Sequence, residues 1–300
     1  MKRMLDKWNS LLCRLVRPSV SPGESGLPVE IHARLRSIAE WREFYAAHRF
    51  INDPQYVNGI GDAVRRAGFF CPFHQRHAPP TEIVMGEPNY REGLLHGNLN
   101  SRMRAVWLEL SRFLAGCPAA EVRIYAPEAI TAFALLLRGR FPRFIGSEYA
   151  PDENARQSLF PVRHESLLDL TFPGGVFDAV VINDVFEHVP DVDRGLAEAA
   201  RVLRPGGRLV STFPFNIGGS GSVVKARLTE NGVEHLMPPE YHGNPVDPKG
   251  SLVFEIPGWD ILERAKRQGF SMAEIVYETS LRHGVLGGGF SGIFTMVAER

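Results

Sequence analysis

Apolar and polar residues follow three rhythms along the 300-residue chain. Through position 17, Met1, Met4, Leu5, Trp8, Leu11, Leu12, Leu15 and Val16 recur at helical three-and-four spacing, with Lys2, Arg3, Lys7, Arg14 and Arg17 between them. The pattern predicts an amphipathic helix over 1–17, either docked on its own domain or laid into an anionic membrane surface. Pro18 to Pro28 is rich in Pro, Gly and Ser and reads as a linker. Ile31, Leu35, Ile38, Trp41, Phe44 and Tyr45 predict a second helix from about Glu30 to His48, stopped by Asn52-Asp53-Pro54. Residues 55 to about 100 read as irregular. Ser101 to Ala115 reads as a helix that turns Met103, Val106, Trp107, Leu110 and Phe113 inward.

From Glu121 the rhythm changes to short apolar runs alternating with helical stretches, which predicts an α/β fold with a mostly parallel sheet covered by helices. Strands are expected at Val122 to Ala126, Arg143 to Glu148, near Arg163, Phe177 to Asn183, and Arg208 to Phe213. Helices are expected at about Ala129 to Arg138, Val192 to Leu203 and Gly258 to Gln268. Glu274 to Thr279 and Phe290 to Ala298 read as a closing antiparallel pair.

Composition narrows the function classes. Apolar residues at 44% and charged residues at 23% are those of an ordinary globular protein. Thirty-four basic residues against 34 acidic ones leave no global field for nucleic acid, so no nucleic-acid partner is expected. Cys13, Cys71 and Cys117 are odd in number and far apart, which suits a reducing compartment and predicts a cytoplasmic location. No apolar stretch approaches the roughly 20 residues needed to span a bilayer. Charges interrupt the apolar face of 1–17, so it lacks the continuous core of a signal peptide, although peripheral membrane contact through it stays open.

In an open α/β sheet ligands sit beyond the carboxyl ends of the strands, which directs attention to the residues just after each one. These are Ala126-Pro127-Glu128, then Glu148-Tyr149, Glu165-Ser166-Leu167, Asn183-Asp184-Val185 and Phe215-Asn216. Glu148 ends a strand 22 positions beyond Ala126, the placement of a carboxylate that accepts from nucleoside ribose hydroxyls; its plain alternative is a solvated acid.

The segment Leu170 to Pro190, with Phe172-Pro173-Gly174-Gly175-Val176-Phe177-Asp178 and Glu187-His188-Val189-Pro190, resembles the class I S-adenosylmethionine-dependent methyltransferases of the small-molecule branch. Ala199-Ala200-Arg201-Val202-Leu203-Arg204-Pro205-Gly206-Gly207-Arg208-Leu209-Val210 continues the likeness, which covers about 120–300. The resemblance implies a doubly wound, mostly parallel, seven-stranded Rossmann-like core over 119–300. Before it would come the amphipathic helix at 1–17, the linker at 18–28 and a helical or irregular cap at 29–118. It implies S-adenosylmethionine as cofactor and a small-molecule or glycan-like methyl acceptor. By it, Glu148 would bind the ribose, Tyr149 would flank the adenine, and Glu165, Ser166 and Leu167 would lie near the adenine amino group. Asn183, Asp184 and Val185 would line the methionine end, with Ala126, Pro127 and Glu128 as the first loop. That loop departs from the family pattern, because Tyr125-Ala126-Pro127-Glu128-Ala129 has no glycine and Pro127 lacks a backbone donor.

Methyl transfer needs chiefly an in-line nucleophile at near-attack distance, with a base only where the nucleophile must lose a proton. His188, Glu187 and His242 are the catalytic candidates. For the first two the alternative is orientation of the following helix, and for His242 a loop histidine bonded to backbone. Cys71-x2-His74-x2-His77 with His96 reads as a degenerate remnant, so no working metal site is expected. Arg91, Arg102 and Arg104 would brace the cap or meet an acidic acceptor. Two other functions remain: a catalytically silent binding or scaffold protein, favoured by the glycine-free loop, and a nicotinamide oxidoreductase, disfavoured by the missing Gly-x-Gly-x-x-Gly.

Overall fold

The computed structural model describes residues 19–22, 28–86, 89–244 and 246–300, so the predicted helix at 1–17 lies outside the described residues. The main sheet is built from β1 (Ser19–Pro22), β2 (Pro28–Leu35), β3 (Ile124–Ala126), β4 (Ile145–Gly146), β5 (Phe177–Asn183), β6 (Leu203–Thr212), β7 (Met272–Ser280) and β8 (Ile293–Glu299). Its order is β1-β2-β7-β8-β6-β5-β3-β4. The strands β4, β3, β5 and β6 run parallel, while β8, β7, β2 and β1 are joined antiparallel. Beyond β4 the expected third strand is reduced to a single parallel bridge, Glu148 to His164. The chain winds one way from β3 to β4 and the other way from β3 to β5, which creates a switch point at their carboxyl ends.

The helices are α1 (Ile38–Ala47), α2 (Pro54–Ala67), α3 (Ser101–Phe113), α4 (Ala132–Arg140), α5 (Glu153–Leu159), α6 (Val192–Val202) and α7 (Ile261–Arg267). Five-residue apolar burial in β5, with Ala179 to Ile182 wholly inaccessible, reflects helices packed on both faces. None of the described helices is long and apolar enough to cross a membrane.

Three expectations need correction. Within the span read as a linker, Ser19–Pro22 is a strand paired with β2. The helix predicted over 30–48 begins only at Ile38, because Pro28–Leu35 is a strand on β7. Ile31, Ala33 and Leu35 are buried in alternation with His32 and Arg34, which belong to an ionic network with Glu109, Glu274, Glu278 and Arg112. Residues 54–67 are helical, not irregular. Asp53 caps that helix by accepting from the Gln55 amide at 2.7 Å, and Pro54 occupies its first turn, where a missing N–H costs nothing.

The segment before the core is welded to it. Asn100 caps α3, and Arg104 inside α3 is wholly buried, donating to the carbonyls of Leu94, Leu99 and Gly284. Burial pulls this guanidinium down to about 9, with the neighbouring Cys71 thiol acting the other way.

Candidate active site at the carboxyl edge of the sheet

The loop after β3 is shaped by carboxylates. Glu148, 8% exposed, turns back from the end of β4 and its Oε1 accepts from the amides of Ala129 at 2.8 Å and Ile130 at 3.2 Å. A loop without glycine is thus pinned by an acid from the next strand. Ile130 and Tyr149 remain exposed on either side, the latter 60% accessible and tilted over His164. Ala126 is buried and its carbonyl accepts from Ser147, while Pro127 is partly exposed.

Glu128 points inward. Its oxygens accept from Thr131 Oγ1 at 2.5 Å and from Asn183 Nδ2 at 2.7 Å, which ties the first loop to the end of β5. Burial pushes this carboxyl above the usual glutamate value, and the Thr131 and Asn183 hydrogen bonds offset that only in part. Asp184 follows in a left-handed conformation at φ 50° and receives both Arg91 nitrogens, at 2.7 and 3.0 Å, with Arg102 Nε at 3.2 Å. Burial alone would raise its carboxyl, but Arg102 and Arg91 hold it below the ordinary range. These arginines brace the preceding segment against the sheet edge, one of their two anticipated roles. Arg102 is 8% exposed and its Nη1 is buried with no hydrogen-bond partner among the described residues. Val185 is half-buried and packs on the core.

Glu165 and Leu167 are corrections to the sequence reading. Glu165 is 3% exposed and spends its carboxylate on Arg163 and on both the amide and hydroxyl of Thr171. Burial works against the charged form, but the Thr171 and Arg163 contacts hold the carboxyl low, so this acid closes its own loop. Leu167 is a core side chain against Gly195. Ser166 is half-buried and caps its own turn, its Oγ accepting from Leu168 at 3.3 Å.

The three catalytic candidates converge although 54 positions separate His188 from His242 (242 − 188). A one-turn helix, Phe186–His188, follows β5, and the short strand Tyr241–His242 comes from the insertion after β6. Glu187 is wholly buried and neither carboxylate oxygen has a hydrogen-bond partner among the described residues. His188 Nε2 and His242 Nδ1 lie 3.6 and 3.7 Å from its Oε1, which are ion-pair separations longer than hydrogen bonds. The second nitrogen of each ring is spent: His188 Nδ1 donates to the Leu252 carbonyl at 2.9 Å, and His242 Nε2 sits 3.0 Å from Glu240. A carbonyl only accepts, so His188 Nδ1 carries a hydrogen and Nε2 is the nitrogen that faces Glu187. The Glu187 carboxylate, helped by Glu240 and opposed by burial, raises His242 above the ordinary histidine value. Such a trio can take a proton from a neighbouring group and pass it to the surface. Glu240 was not singled out in the sequence, and only its place two residues before His242 hinted at it.

An open hollow of about 470 Å³ lined by Arg123, Arg143, Asp178 and Arg204 lies at the opposite, amino end of the strands. No candidate side chain lines it.

Residues 133–211, which run from α4 through β4, β5 and α6 to the end of β6, match the family model of a methyltransferase domain. The α/β core is thus similar to methyltransferase domains over these residues. A demethylmenaquinone methyltransferase of Thermus thermophilus is 39% identical over 87 residues, covering 26% of this chain and 40% of the relative. One from Deinococcus radiodurans is 34% identical over 124 residues, covering 36% of this chain and 52% of the relative. The chain thus spans about half or less of the length of these curated relatives. Among solved structures, an amino pentose methyltransferase of Micromonospora echinaspora is 21% identical with a TM-score of 0.42, covering 68% of this chain and 93% of that one.

Proposed function

We propose that the chain transfers a methyl group from S-adenosylmethionine to a small-molecule acceptor carrying a dissociable proton, such as a glycan-like hydroxyl or an amine. The observation that carries this reading is Glu148, a buried carboxylate at the end of β4 whose partners are neutral loop amides. Two further features fit the cofactor: the exposed rings and chains of Tyr149 and Ile130 beside Glu148, and the orphaned Arg102 Nη1 near Asp184. Glu148 would hold the ribose and Tyr149 the adenine, while Asn183, Asp184 and Val185 with the first loop of Ala126, Pro127 and Glu128 would line the methionine end. When bound, the sulfonium compound supplies an electrophilic methyl.

The protein's own contribution is then placement and proton handling. The 126–131 loop and the Arg91-Arg102-Asp184 brace fix the edge against which an acceptor docks, and positioning alone is worth several kcal/mol, up to about 7–11. Glu187, His188 and His242 would receive the acceptor's proton, which favours hydroxyl or ammonium acceptors over groups with nothing to lose. The relatives named for demethylmenaquinone support methyl transfer as the reaction class, and the acceptor here is inferred from the trio alone. A cytoplasmic location, with membrane contact through residues 1–17, belongs to the same proposal; liposome co-sedimentation unchanged by deleting residues 1–17 would discard that contact.

A second reading, a binding module without turnover, is favoured by one observation: the amides of Ala129 and Ile130 are already consumed by Glu148. Equilibrium dialysis of the full chain with radiolabelled S-adenosylmethionine tests the cofactor site, and release of S-adenosylhomocysteine in the presence of hydroxyl or amine acceptors separates the two readings. Saturable binding displaced by S-adenosylhomocysteine is expected, and no binding at millimolar ligand rejects both the cofactor site and the reaction.

A further inference from the structure

Two turns that precede the core meet around a thiol and two imidazoles. The hairpin Phe69–Cys71 with Arg76–Ala78 closes through Pro72 to Gln75, where the Gln75 amide bonds back to the Cys71 carbonyl at 2.9 Å and Gln75 takes φ 54°. Cys71 and His74 thereby fall on its inner side, with Sγ 3.1 Å from Nδ1. The second turn spans His96 to Leu99, which exchange backbone hydrogen bonds of 3.0 Å, with Gly97 and Asn98 both left-handed. A Cβ on Gly97 would lie 2.9 Å from His74 Cε1, so this position needs glycine for its space as well as its φ.

We propose that Cys71, His74 and His96 bind a zinc ion that clips these two turns together. One ligand atom from each lies within 4.8 Å of the others. A tetrahedral zinc with bonds of about 2.3 Å to sulfur and about 2.0–2.1 Å to nitrogen sets ligand atoms about 3.5 Å apart, so closure needs only small side-chain shifts. His96 is 2% exposed; its Nε2 sits 3.2 Å from Glu82 Oε2, leaving Nδ1 buried and without a hydrogen-bond partner among the described residues. A carboxylate on one imidazole nitrogen with the other free is how metal-bound histidines are commonly oriented.

Arg104 is wholly buried and donates to the carbonyls of Leu94, Leu99 and Gly284. Two of those carbonyls, Leu94 and Leu99, flank the His96 turn, so Arg104 positions it. The fourth coordination place is left to solvent on the side of the partly exposed His74 and Glu82. His77, read from the sequence with the other three, is exposed and absent from the cluster. Turn 96–99 leads directly into Asn100 and Arg102, so the ion would stiffen the segment that braces Asp184 without touching the methyltransferase site.

The test is cobalt titration of the metal-stripped full chain, followed by zinc displacement and elemental analysis. Expected are about one metal per chain and a thiolate-to-cobalt absorption band that Cys71→Ser abolishes, His77→Ala leaves intact, and zinc displaces. Glu82→Gln, at a half-exposed position where folding is not in question, should weaken zinc binding about 10–100-fold. No thiolate band in the folded wild-type chain overturns the proposal. A band that survives Cys71→Ser or disappears in His77→Ala also overturns it, by assigning the ion to other residues.

Discussion

Glu148 and Asp184 stand at the same edge of the sheet, just after β4 and β5, and are held in opposite ways. Glu148 is met by two neutral amides of a neighbouring loop, whereas Asp184 is met by two arginines reaching over from the segment before the core. Neutral donors can be exchanged for the hydroxyls of a sugar without uncovering a charge. Guanidinium partners cannot, because removing one leaves a poorly solvated ion behind. Under the proposed function the contrast suits Glu148 to binding and Asp184 to anchoring, and it explains why Asp184 tolerates a left-handed backbone: the ion pairs overdetermine it.

The largest expected effect breaks the anchor. Asp184→Ala leaves Arg91 and Arg102 with Glu92 as their remaining shared carboxylate and should lower unfolding free energy by about 3 kcal/mol in denaturant titration, the low end for breaking a buried pair; a loss below about 1 kcal/mol would mean that the pairs are surface ornaments. Next, Glu165→Ala removes a carboxylate committed to Arg163 and Thr171. It should cost about 1–3 kcal/mol of stability while leaving cofactor affinity unchanged, and a weakened affinity would return Glu165 to the binding site.

Two smaller effects follow from titration. Glu128 is raised in the folded state, so its cost is absent below the ordinary glutamate value of about 4.3 and grows as pH rises through the raised value. Glu128→Gln should therefore raise Tm at pH 7 and leave it unchanged at pH 4; the reverse pattern contradicts the assignment. His242 is raised as well, but as a cation, so its contribution is complete below about pH 6.5 and disappears as pH climbs through the raised value. His242→Gln should lower stability at pH 6 and have little effect at pH 9. If the trio handles the acceptor's proton, turnover should also rise with pH across that interval and flatten in the variant.

The buried parallel strands were legible because their apolar runs are short and bounded by turn residues: Phe177–Asn183 falls where the pattern placed it, while the strand expected from Arg208 begins earlier, at Leu203. The strand β2 was not, since Ile31 and Leu35 are four apart, a spacing that satisfies a two-residue period and a helical face equally. Pro54 read as a stop because its preceding residue is barred from helix, and that same bar makes Asp53 an N-cap. At the site, the strand-end position of Glu148 could be counted along the chain. Its amide partners could not, nor could the hydrogen bond from Asn183 to Glu128 or the arginine pairs on Asp184, because each spans a sequence separation that only the closed sheet brings together. The meeting of His242 with Glu187 depended likewise on the path of an insertion whose length says nothing of its fold.

Calorimetric titration of S-adenosylhomocysteine into the full chain and into Glu148→Ala tests the central claim most directly. Two hydrogen bonds from sugar hydroxyls to a carboxylate, at about 1.5 kcal/mol each, predict an affinity loss of about 100-fold in a variant that remains folded. Equal affinity in the two proteins would contradict the account and leave Glu148 as a loop clamp alone.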